Sequence, residues 1–548
     1  MSDTKSEPAT IDAVVVGAGF SGLYMLHKLR GQGLSVRVFE AADGVGGTWY
    51  WNRYPGARCD SESHYYCYSF DDEMLQEWEW TCRYPEQPEI LRYLNWVADR
   101  LDLRRNIQFD TRVVSASYDE ASNTWDVETD DGMHTRSTYL ITAVGCLSAA
   151  QIPAIAGLDS FQGPWYHTGQ WPHEGVDFRD KRVGIIGTGS SGIQAIPVIA
   201  AQAAHLTVFQ RTPNFSVPAR NAPLSEEAKQ EIKANYRAII DKTKASPFGF
   251  PLALGEKSAL EVTAAERRAE YDTHWEAGGF RLLFSSYNDL ILSKEANDTA
   301  ADYVRARIRE IVRDPAVAER LCPKDYPIGT KRPPIDTDYF ETFNRANVTL
   351  VDLKQSPIEA ITPSGIRTRD AEYELDAIVF ATGYDAMTGS LFRLGIRGRD
   401  GVRLEERWAL GPQTYLGVSA VGFPNLFIIT GPGSPSVLTN MPVAIEQHVE
   451  WIAECIAYLR AHGLDRIEPE AEAERAWVAR VNEEAAATLF PQANSWYMGA
   501  NIPGKPRVFL PFVGGCNVYR QYCNEIAEKG YEGFTLSRGD GRSAAAAE

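Results

Sequence analysis

Two apolar runs of strand length, each followed by a glycine-rich turn and a helical pattern, organise the chain. The first run is IDAVVV, residues 11–16, and the turn after it carries Gly17, Gly19 and Gly22. Leucines spaced three residues apart then mark one face of a helix. Glycines at these positions allow a tight turn, close approach of the backbone to a pyrophosphate, and packing of the helix on the strand. The pattern predicts a dinucleotide-binding unit.

A second strand, residues 35–39, follows this helix and ends at Glu40, which lies 23 residues after Gly17. A carboxylate at this place accepts hydrogen bonds from both ribose hydroxyls of a bound nucleotide. The same carboxylate would repel a 2′-phosphate. The first unit is therefore expected to bind FAD or NAD.

The same strand, glycine turn and helix pattern recurs in RVGIIGTGSSG, residues 182–192, but the strand after it does not end at an acidic residue. Twenty-four residues after the first glycine of this turn stands Arg211, followed by Thr212. A guanidinium and a hydroxyl match a 2′-phosphate in charge and geometry, which predicts NADPH rather than NADH. The alternative is an arginine at a solvated strand end. The turn contains Gly187, Gly189 and Gly192.

The remaining pattern suggests that the two units are nested. Residues 225–322 change to charged helical patterns, as expected of an inserted segment. Two further apolar runs, residues 139–145 and 373–385, are each expected to close one dinucleotide sheet. The predicted fold class is α/β, with two nested Rossmann-like domains and a helical insertion. The predicted domains are an FAD-binding domain (1–148 and 381–540), an NADP-binding domain (149–222 and 325–380) and a helical insertion (223–324).

Composition excludes several other classes of protein. The net charge of −18 argues against a duplex nucleic acid or an anionic membrane as partner, because both bind basic surfaces. No apolar run approaches the ~18 residues of a membrane helix, so we expect a cytoplasmic protein. Eight cysteines form no CxxC pair and no zinc spacing. They predict reduced thiols, no redox-active disulfide and no metal site.

An FAD unit and an NADPH unit in one chain define a flavoprotein in which a nicotinamide reduces the flavin. Two further segments narrow its chemistry: GGTWYWNRYPGARCD at 46–60 and FQGPWYHTGQWPH at 161–173. Together they resemble the signature of type I Baeyer–Villiger monooxygenases, closest to the phenylacetone and steroid monooxygenase branch. The similarity extends to GTKR (329–332), ATGYDAMTG (381–389), GPGSPSVLTNM (431–441) and SWYMGANIPGKPRVF (495–509).

This resemblance implies an enzyme that uses FAD, NADPH and O2 to insert one oxygen atom next to a ketone carbonyl. The implied route runs through a flavin C4a-peroxide and a tetrahedral Criegee adduct, and the product is an ester or lactone. Sulfoxidation would be a side activity, and the family tends toward monomers. The nearest alternative is an N- or S-oxygenating flavin monooxygenase. A flavin reductase or NADPH oxidase, or a regulatory protein that only binds the two nucleotides, would leave the signature segments unexplained.

The resemblance also assigns roles to individual residues. Arg332 resembles the mobile active-site arginine and Asp60 the carboxylate that pairs with it. A guanidinium suits this role because it stabilises oxygen anions without giving up its proton. Trp496 resembles the tryptophan of a mobile loop that closes on the nicotinamide, and His167 the signature histidine between the domains. Lys331, Arg211 and Thr212 resemble the 2′-phosphate cluster.

The complete set of candidate residues has four parts. The catalytic candidates are Arg332 and Asp60. The cofactor-binding candidates are Gly17, Gly19, Ser21, Gly22, Glu40, Gly47, Thr48, Trp49, Asp60, Tyr66, Val113, Met441, Gly187, Thr188, Gly189, Ser190, Ser191, Gly192, Gln194, Arg211, Thr212, Lys331, Arg332 and Trp496. The fingerprint candidates are Phe161, Gly163, His167, Trp171 and Pro172, and the substrate-pocket candidates are Ser436, Val437 and Leu438.

Overall fold

The structure is a computed structural model that describes residues 10–539. Residues 1–9 and 540 of the predicted FAD-binding domain therefore lie outside the described residues. The strands are, in chain order, β1 (Ile11–Val16), β2 (Val36–Phe39), β3 (Ile107–Gln108), β4 (Val113–Asp119), β5 (Thr124–Thr129), β6 (His134–Thr142), β7 (Trp165–His167), β8 (Arg182–Ile186), β9 (His205–Gln210), β10 (Val217–Pro218), β11 (Ile335–Asp336), β12 (Val348–Asp352), β13 (Ile358–Thr362), β14 (Gly365–Thr368), β15 (Glu372–Glu374), β16 (Ala377–Phe380), β17 (Ile396–Arg397), β18 (Leu426–Ile428), β19 (Arg466–Pro469) and β20 (Phe534–Ser537).

Helices connect these strands and fill the segment between β10 and β11. They are α1 (Phe20–Gly31), α2 (Thr48–Trp51), α3 (Asp72–Glu77), α4 (Gln87–Arg100), α5 (Ser190–Gln202), α6 (Glu226–Ala245), α7 (Ala264–Ala277), α8 (Arg281–Phe284), α9 (Lys294–Ile311), α10 (Pro315–Leu321), α11 (Tyr339–Thr342), α12 (Gly389–Phe392), α13 (Leu404–Arg407), α14 (Met441–Ala461), α15 (Ala471–Ala486) and α16 (Cys516–Glu528). No helix within residues 10–539 is long and apolar enough to cross a membrane.

Two sheets repeat one design and confirm the predicted fold class. In the first, β3, β2, β1, β6 and β18 run parallel, and β4 and β5 extend it as an antiparallel branch. In the second, β12, β9, β8, β16 and β7 all run parallel. In each sheet, the strand before the glycine turn lies in the middle of the parallel set. Its carboxyl end therefore opens at the crevice where nucleotides bind in such sheets.

The two strands expected to close these sheets do not end them. β6 and β16 pair with the central strands β1 and β8 as expected. A further parallel strand, β18 or β7, pairs with each of them on the far side. The prediction failed because β7 and β18 have only three residues each. Runs of that length carry too few alternating positions to be recognised from sequence.

The inserted helices do not form a separate core. Side chains of α7 and α9 share one buried cluster with α5 and the second sheet. In α6, Tyr236 and Ile240 pack instead into the cluster around the first sheet. The segment therefore lies against both dinucleotide units, while its exact domain boundaries stay a prediction.

Candidate active site

The first glycine turn has a shape that only glycine can adopt. Gly17 has φ +105°, and a Cβ there would lie 2.6 Å from the carbonyl oxygen of Ala143. A Cβ on Gly22 would collide with the carbonyl of Gly17. The turn leaves the backbone bare at the start of α1, whose first N–H groups and dipole favour an anion. Gly19 and Ser21 belong to the same turn, which fits a dinucleotide pyrophosphate.

Glu40 follows β2 at the edge of this turn and is almost fully buried. Its carboxylate accepts hydrogen bonds from the backbone N–H groups of Ala18 (2.6 Å) and Ala42 (2.9 Å). Burial raises the pKa of Glu40, and the two N–H groups oppose that rise by favouring the ionised form. The acid is thus fixed beside the turn, where ribose hydroxyls of an adenine nucleotide can reach it.

The second turn reproduces this geometry. Gly187 has φ +110°, and a Cβ there would collide with the carbonyl of Ala381. The Thr188 hydroxyl donates to the carbonyl of Thr212 at 3.1 Å, which ties the turn to the chain just after β9. Gly189, Ser190, Ser191 and Gly192 complete the turn and the first residues of α5.

Two cations, Lys331 and Arg211, lie near this second turn, and the nearby Asp325 carboxylate attracts Lys331. Within residues 10–539, neither Lys331 nor Arg211 forms an ion pair with a carboxylate. The Lys331 ammonium lies 4.4 Å from the ring centre of Tyr326. Burial, followed by the charge of Arg211, lowers the pKa of Lys331 to about 8. The two positive charges repel each other, so an anion bound between them would be stabilised by both. The 2′-phosphate of NADPH is an anion of suitable charge and geometry.

The structure brings Arg332 and Asp60 together, although 272 residues separate them in the chain. The guanidinium donates two parallel hydrogen bonds to the carboxylate, Nε to Oδ2 at 2.9 Å and Nη2 to Oδ1 at 2.8 Å. Nη1 donates to the carbonyl of Val437 at 2.9 Å, and the Phe280 ring lies 5.2 Å from the guanidinium carbon. Burial disfavours the charge, but the Asp60 carboxylate and the Tyr497 hydroxyl together outweigh burial and keep the pKa of Arg332 above its usual value. The arginine is therefore a fixed, permanent cation.

The first signature segment connects the two nucleotide turns. Gly47 lies against the first turn, since a Cβ there would come within 2.9 Å of the Cα of Gly19. Farther along the segment, the Tyr54 hydroxyl donates to Gln194 of α5 at 2.8 Å. Gln194 also donates to the carbonyl of Arg58 at 3.1 Å. Residues 46–60 therefore span from the first glycine turn to the helix that follows the second.

The other cofactor candidates lie within this segment or on elements of the first unit. The Trp49 indole donates to the Tyr66 hydroxyl at 3.1 Å, with the two rings edge to face. Thr48 begins α2, and Met441 begins α14. Val113 is the first residue of β4 and is buried in the core beside the first sheet.

The fingerprint segment belongs to the edge of the second sheet. His167 ends β7 and is buried, and its Nδ1 accepts from the N–H of Gly169 at 3.0 Å. Burial lowers the pKa of His167, so the ring is neutral at neutral pH. Its edge faces the Tyr384 ring, 6.0 Å between centres. Trp171 is buried, and a Cβ on Gly163 would collide with Phe161 and the carbonyl of Asp376. Pro172 lines a surface cavity of about 480 Å³ with His173.

The side chains of the three substrate-pocket candidates point in different directions. Ser436 has φ +37°, and its buried hydroxyl donates to the carbonyl of Thr430 at 3.2 Å. Val437 and Leu438 pack instead in an apolar cluster that includes Trp496 and Tyr497. The Ser436 side chain therefore points into the protein, whereas Val437 presents its carbonyl to Arg332.

Trp496 opens a short 3-10 helix, and its ring centre lies 4.3 Å from that of Tyr497. Tyr497 is buried beside Arg332: burial raises the pKa of its hydroxyl, and the guanidinium opposes that rise. Sequence reasoning missed Tyr497 and Phe280 as neighbours of the arginine. The signal for Phe280 is the double glycine before it, Gly278 and Gly279, both with positive φ, which breaks an otherwise helical segment.

The chain is similar to known flavin-dependent monooxygenases over nearly its whole length. A family model described as flavin-binding monooxygenase-like matches residues 11–218. A Baeyer–Villiger monooxygenase of Pseudooceanicola batsensis is 47% identical over 98% of this chain and 98% of its own length. Phenazine N-monooxygenase PhzNO1 of Lysobacter antibioticus is 46% identical over 96% of this chain and 97% of its own. The structure of oxidized steroid monooxygenase bound to NADP is 54% identical, with a TM-score of 0.93 over 97% of this chain and 100% of that one.

The resemblance expected from the signature segments is thus confirmed over almost the entire chain, and so are the predicted cofactors. The two glycine turns, the buried acid and the paired arginine fit those cofactors in position and charge. The chain belongs to the Baeyer–Villiger monooxygenases, enzymes that use FAD, NADPH and O2 to insert one oxygen atom next to the carbonyl of a small ketone.

Proposed function

We propose that the Arg332–Asp60 pair is the catalytic centre for oxygen insertion and that an uncharged ketone with an apolar body is the substrate. The observation that carries this proposal is the bidentate contact of Arg332 with Asp60, joined by the third bond to the Val437 carbonyl. This contact sets a permanent positive charge between the first signature segment and the segment that carries the substrate candidates.

FAD and NADPH occupy the two turns in this proposal. The first turn with Glu40 holds FAD, together with Thr48, Trp49 and Tyr66 of the signature region. The second turn holds NADPH, with Lys331, Arg211 and Thr212 on its 2′-phosphate. When bound, FAD would supply the redox chemistry that links oxidation of NADPH to activation of dioxygen.

Arg332 stabilises negative charge that develops on the ketone oxygen during the reaction. Its guanidinium donates hydrogen bonds but keeps its proton at any working pH, so it does not quench an oxygen anion by protonating it. Asp60 fixes the plane of the guanidinium and partly offsets the burial of its charge. The Phe280 ring covers one side of the cation and limits its access to water, which strengthens its electrostatic effect.

The apolar character of the substrate follows from the neighbours of the arginine. Phe280, Val437 and Leu438 offer hydrocarbon surface, and the Asp60 carboxylate beside the guanidinium is already paired. A ketone carbonyl can approach the cation, while a charged substrate would lose its hydration without a partner. Aryl, cyclic, steroid and aliphatic ketones all meet this description, and a sulfide would be oxidised as a side reaction.

One relative favours a second candidate function. Phenazine N-monooxygenase is as similar in sequence as the Baeyer–Villiger relative, so oxygen transfer to a ring nitrogen is the alternative. NADPH consumption with a panel of ketones, phenazines and sulfides, followed by product identification, separates the two. Esters or lactones as the main products support the proposal, whereas N-oxides without esters would contradict it.

We also propose a monomer that acts in the cytoplasm and binds no nucleic acid. Eight unpaired cysteines fit a reducing compartment, and the net charge of −18 disfavours contact with a polyanion. Size-exclusion chromatography with light scattering tests the oligomeric state directly.

The Arg332→Ala variant tests the catalytic assignment. We expect FAD in this variant to be reduced by NADPH at a near-normal rate, since the hydride step does not need the arginine. Ester formation should fall by about 10² to 10³-fold, as for loss of one anion-stabilising donor. The matched control is Arg179→Ala, which removes an exposed arginine paired with Asp177. Normal ester output from Arg332→Ala would refute the assignment.

A further inference from the structure

The loop that carries Trp496 is closed at its base by one arginine. Arg507 donates to the side chain of Asn494 and to the carbonyl of Pro491, the latter at 2.7 Å. Within the loop, the N–H of Ala500 donates to the carbonyl of Ser495 at 3.1 Å, and the N–H of Gly499 donates to the carbonyl of Trp496 at 3.1 Å. Residues 494–507 therefore form a compact unit whose shape is set internally.

Two polar side chains attach the loop to the segment after β16. The Lys505 ammonium donates to Oδ1 of Asp385 at 2.6 Å and to the carbonyl of Ala386 at 2.8 Å. Only 10% of the Lys505 side chain and 27% of the Asp385 side chain are exposed. The Asn501 side chain donates to the carbonyl of Tyr384 at 2.7 Å. Three hydrogen bonds thus hold the loop on residues 384–386.

The attachment point is connected to both signature segments. The Tyr384 hydroxyl donates to the side chain of Asn52, in the first segment. The Tyr384 ring lies against Gly169 so closely that a Cβ there would come within 2.6 Å of it. The same ring faces His167 of the fingerprint. Residues 384–386 are therefore the place where the loop, the fingerprint and the first signature segment meet.

A partly buried ion pair at this place is well suited to control the loop. Because Lys505 and Asp385 have little contact with water, their attraction is weakly screened compared with an exposed pair. Removing one partner leaves the other charge without its counter-ion and favours the detached state of the loop. Trp496 and Tyr497 would then leave the surroundings of Arg332 in that state.

We propose that Lys505 and Asp385 are positioning residues for oxygen insertion: their ion pair holds the 494–507 loop on residues 384–386 and so keeps Tyr497 beside Arg332, with Trp496 packed against Tyr497. This inference rests on the proposed role of Arg332. The ion pair decides whether the loop covers the site. The fingerprint segment supports the ring of Tyr384, which lies directly beside that ion pair in the chain.

The test compares Lys505→Met, Asp385→Asn and the double variant as FAD-loaded enzymes with NADP+. Chymotrypsin cleavage after Trp496 or Tyr497 measures detachment of the loop without any turnover. We expect cleavage about tenfold faster in each single variant, as for loss of one charge-assisted hydrogen bond that closes a local opening. The double variant should match Lys505→Met, because that change already removes the ion pair together with the bond from the lysine to the carbonyl of Ala386. The fraction of NADPH consumed without ester should rise in parallel.

Lys529→Met is the matched control, because Lys529 forms an exposed ion pair with Glu532 at 3.0 Å. Its cleavage rate should equal that of the unchanged protein. Unchanged cleavage in Lys505→Met and Asp385→Asn would overturn the positioning role, and so would strictly additive effects in the double variant. Cleavage does not depend on ester formation. Normal esters from Arg332→Ala would therefore refute the catalytic assignment while the cleavage result still decided the role of the ion pair.

Discussion

Lys331 and Arg211, the two cations beside the second turn, should make the binding of NADP+ depend on pH. In the free site, burial and Arg211 lower the pKa of Lys331 to about 8. A 2′-phosphate is a dianion above its second pKa near 6, so it changes little at higher pH. Binding of the dianion favours protonated Lys331 and raises its pKa. Affinity should therefore be full below about pH 8 and should fall as the pH rises through that value.

The size of the effect follows from the protonated fraction of Lys331. With a pKa of about 8, roughly nine-tenths of the side chains are charged at pH 7 and roughly one-tenth at pH 9. If binding requires the charged form, the dissociation constant of NADP+ rises about tenfold between these two pH values. NAD+ lacks the 2′-phosphate, so its binding should stay nearly constant over the same range.

Calorimetric titration of the FAD-loaded enzyme with NADP+ and NAD+ measures this difference. The Lys331→Met variant should bind NADP+ more weakly at pH 7 and lose most of the pH dependence, with NAD+ binding unchanged. A flat NADP+ profile in the unchanged protein would refute the reasoning. So would a variant that keeps the full tenfold dependence, because another group would then be responsible.

Three further outcomes are expected. Gly22→Ala should yield protein without bound flavin, measured by flavin absorbance, because its methyl group collides with Gly17; protein purified with full flavin would contradict this. Trp496→Ala should raise hydrogen peroxide formed per NADPH consumed, and unchanged coupling to ester would count against a covering role. Burial raises the pKa of Asp336 to about 7, so its contribution to stability is present below pH 4 and is lost as the pH rises toward 7. Asp336→Asn should therefore gain roughly 2 to 3 kcal/mol relative to the unchanged protein between pH 5 and pH 8, measured by denaturant unfolding, and equal pH profiles would exclude this.

Local signals were sufficient for the two nucleotide turns. A strand, a glycine turn and the start of a helix lie within about a dozen residues, and their shape depends mainly on which positions lack a Cβ. The end of the second strand adds the charge that distinguishes one nucleotide from another. For that reason Glu40 and Arg211 could be recognised from spacing alone.

The surroundings of Arg332 could not be derived in this way. Asp60, Phe280, Val437 and Tyr497 come from four distant parts of the chain, and their meeting depends on how loops of both sheets are packed. Asp60 was anticipated only through resemblance to a family. Residue spacing gave no sign of the ion pair between Lys505 and Asp385, since a lysine and an aspartate 120 residues apart are ordinary surface residues until the fold buries them.

The bond from Arg332 to the carbonyl of Val437 constrains the main chain at this position more than the side chain. Val437 contributes only its main-chain carbonyl to this bond, so a side chain of similar size at this position can replace the valine without removing the bond to the cation. An insertion or deletion nearby would move the carbonyl itself. Point substitutions in this stretch should therefore change which ketones are accepted. Changes of loop length should lower turnover, because they move the carbonyl that holds Arg332.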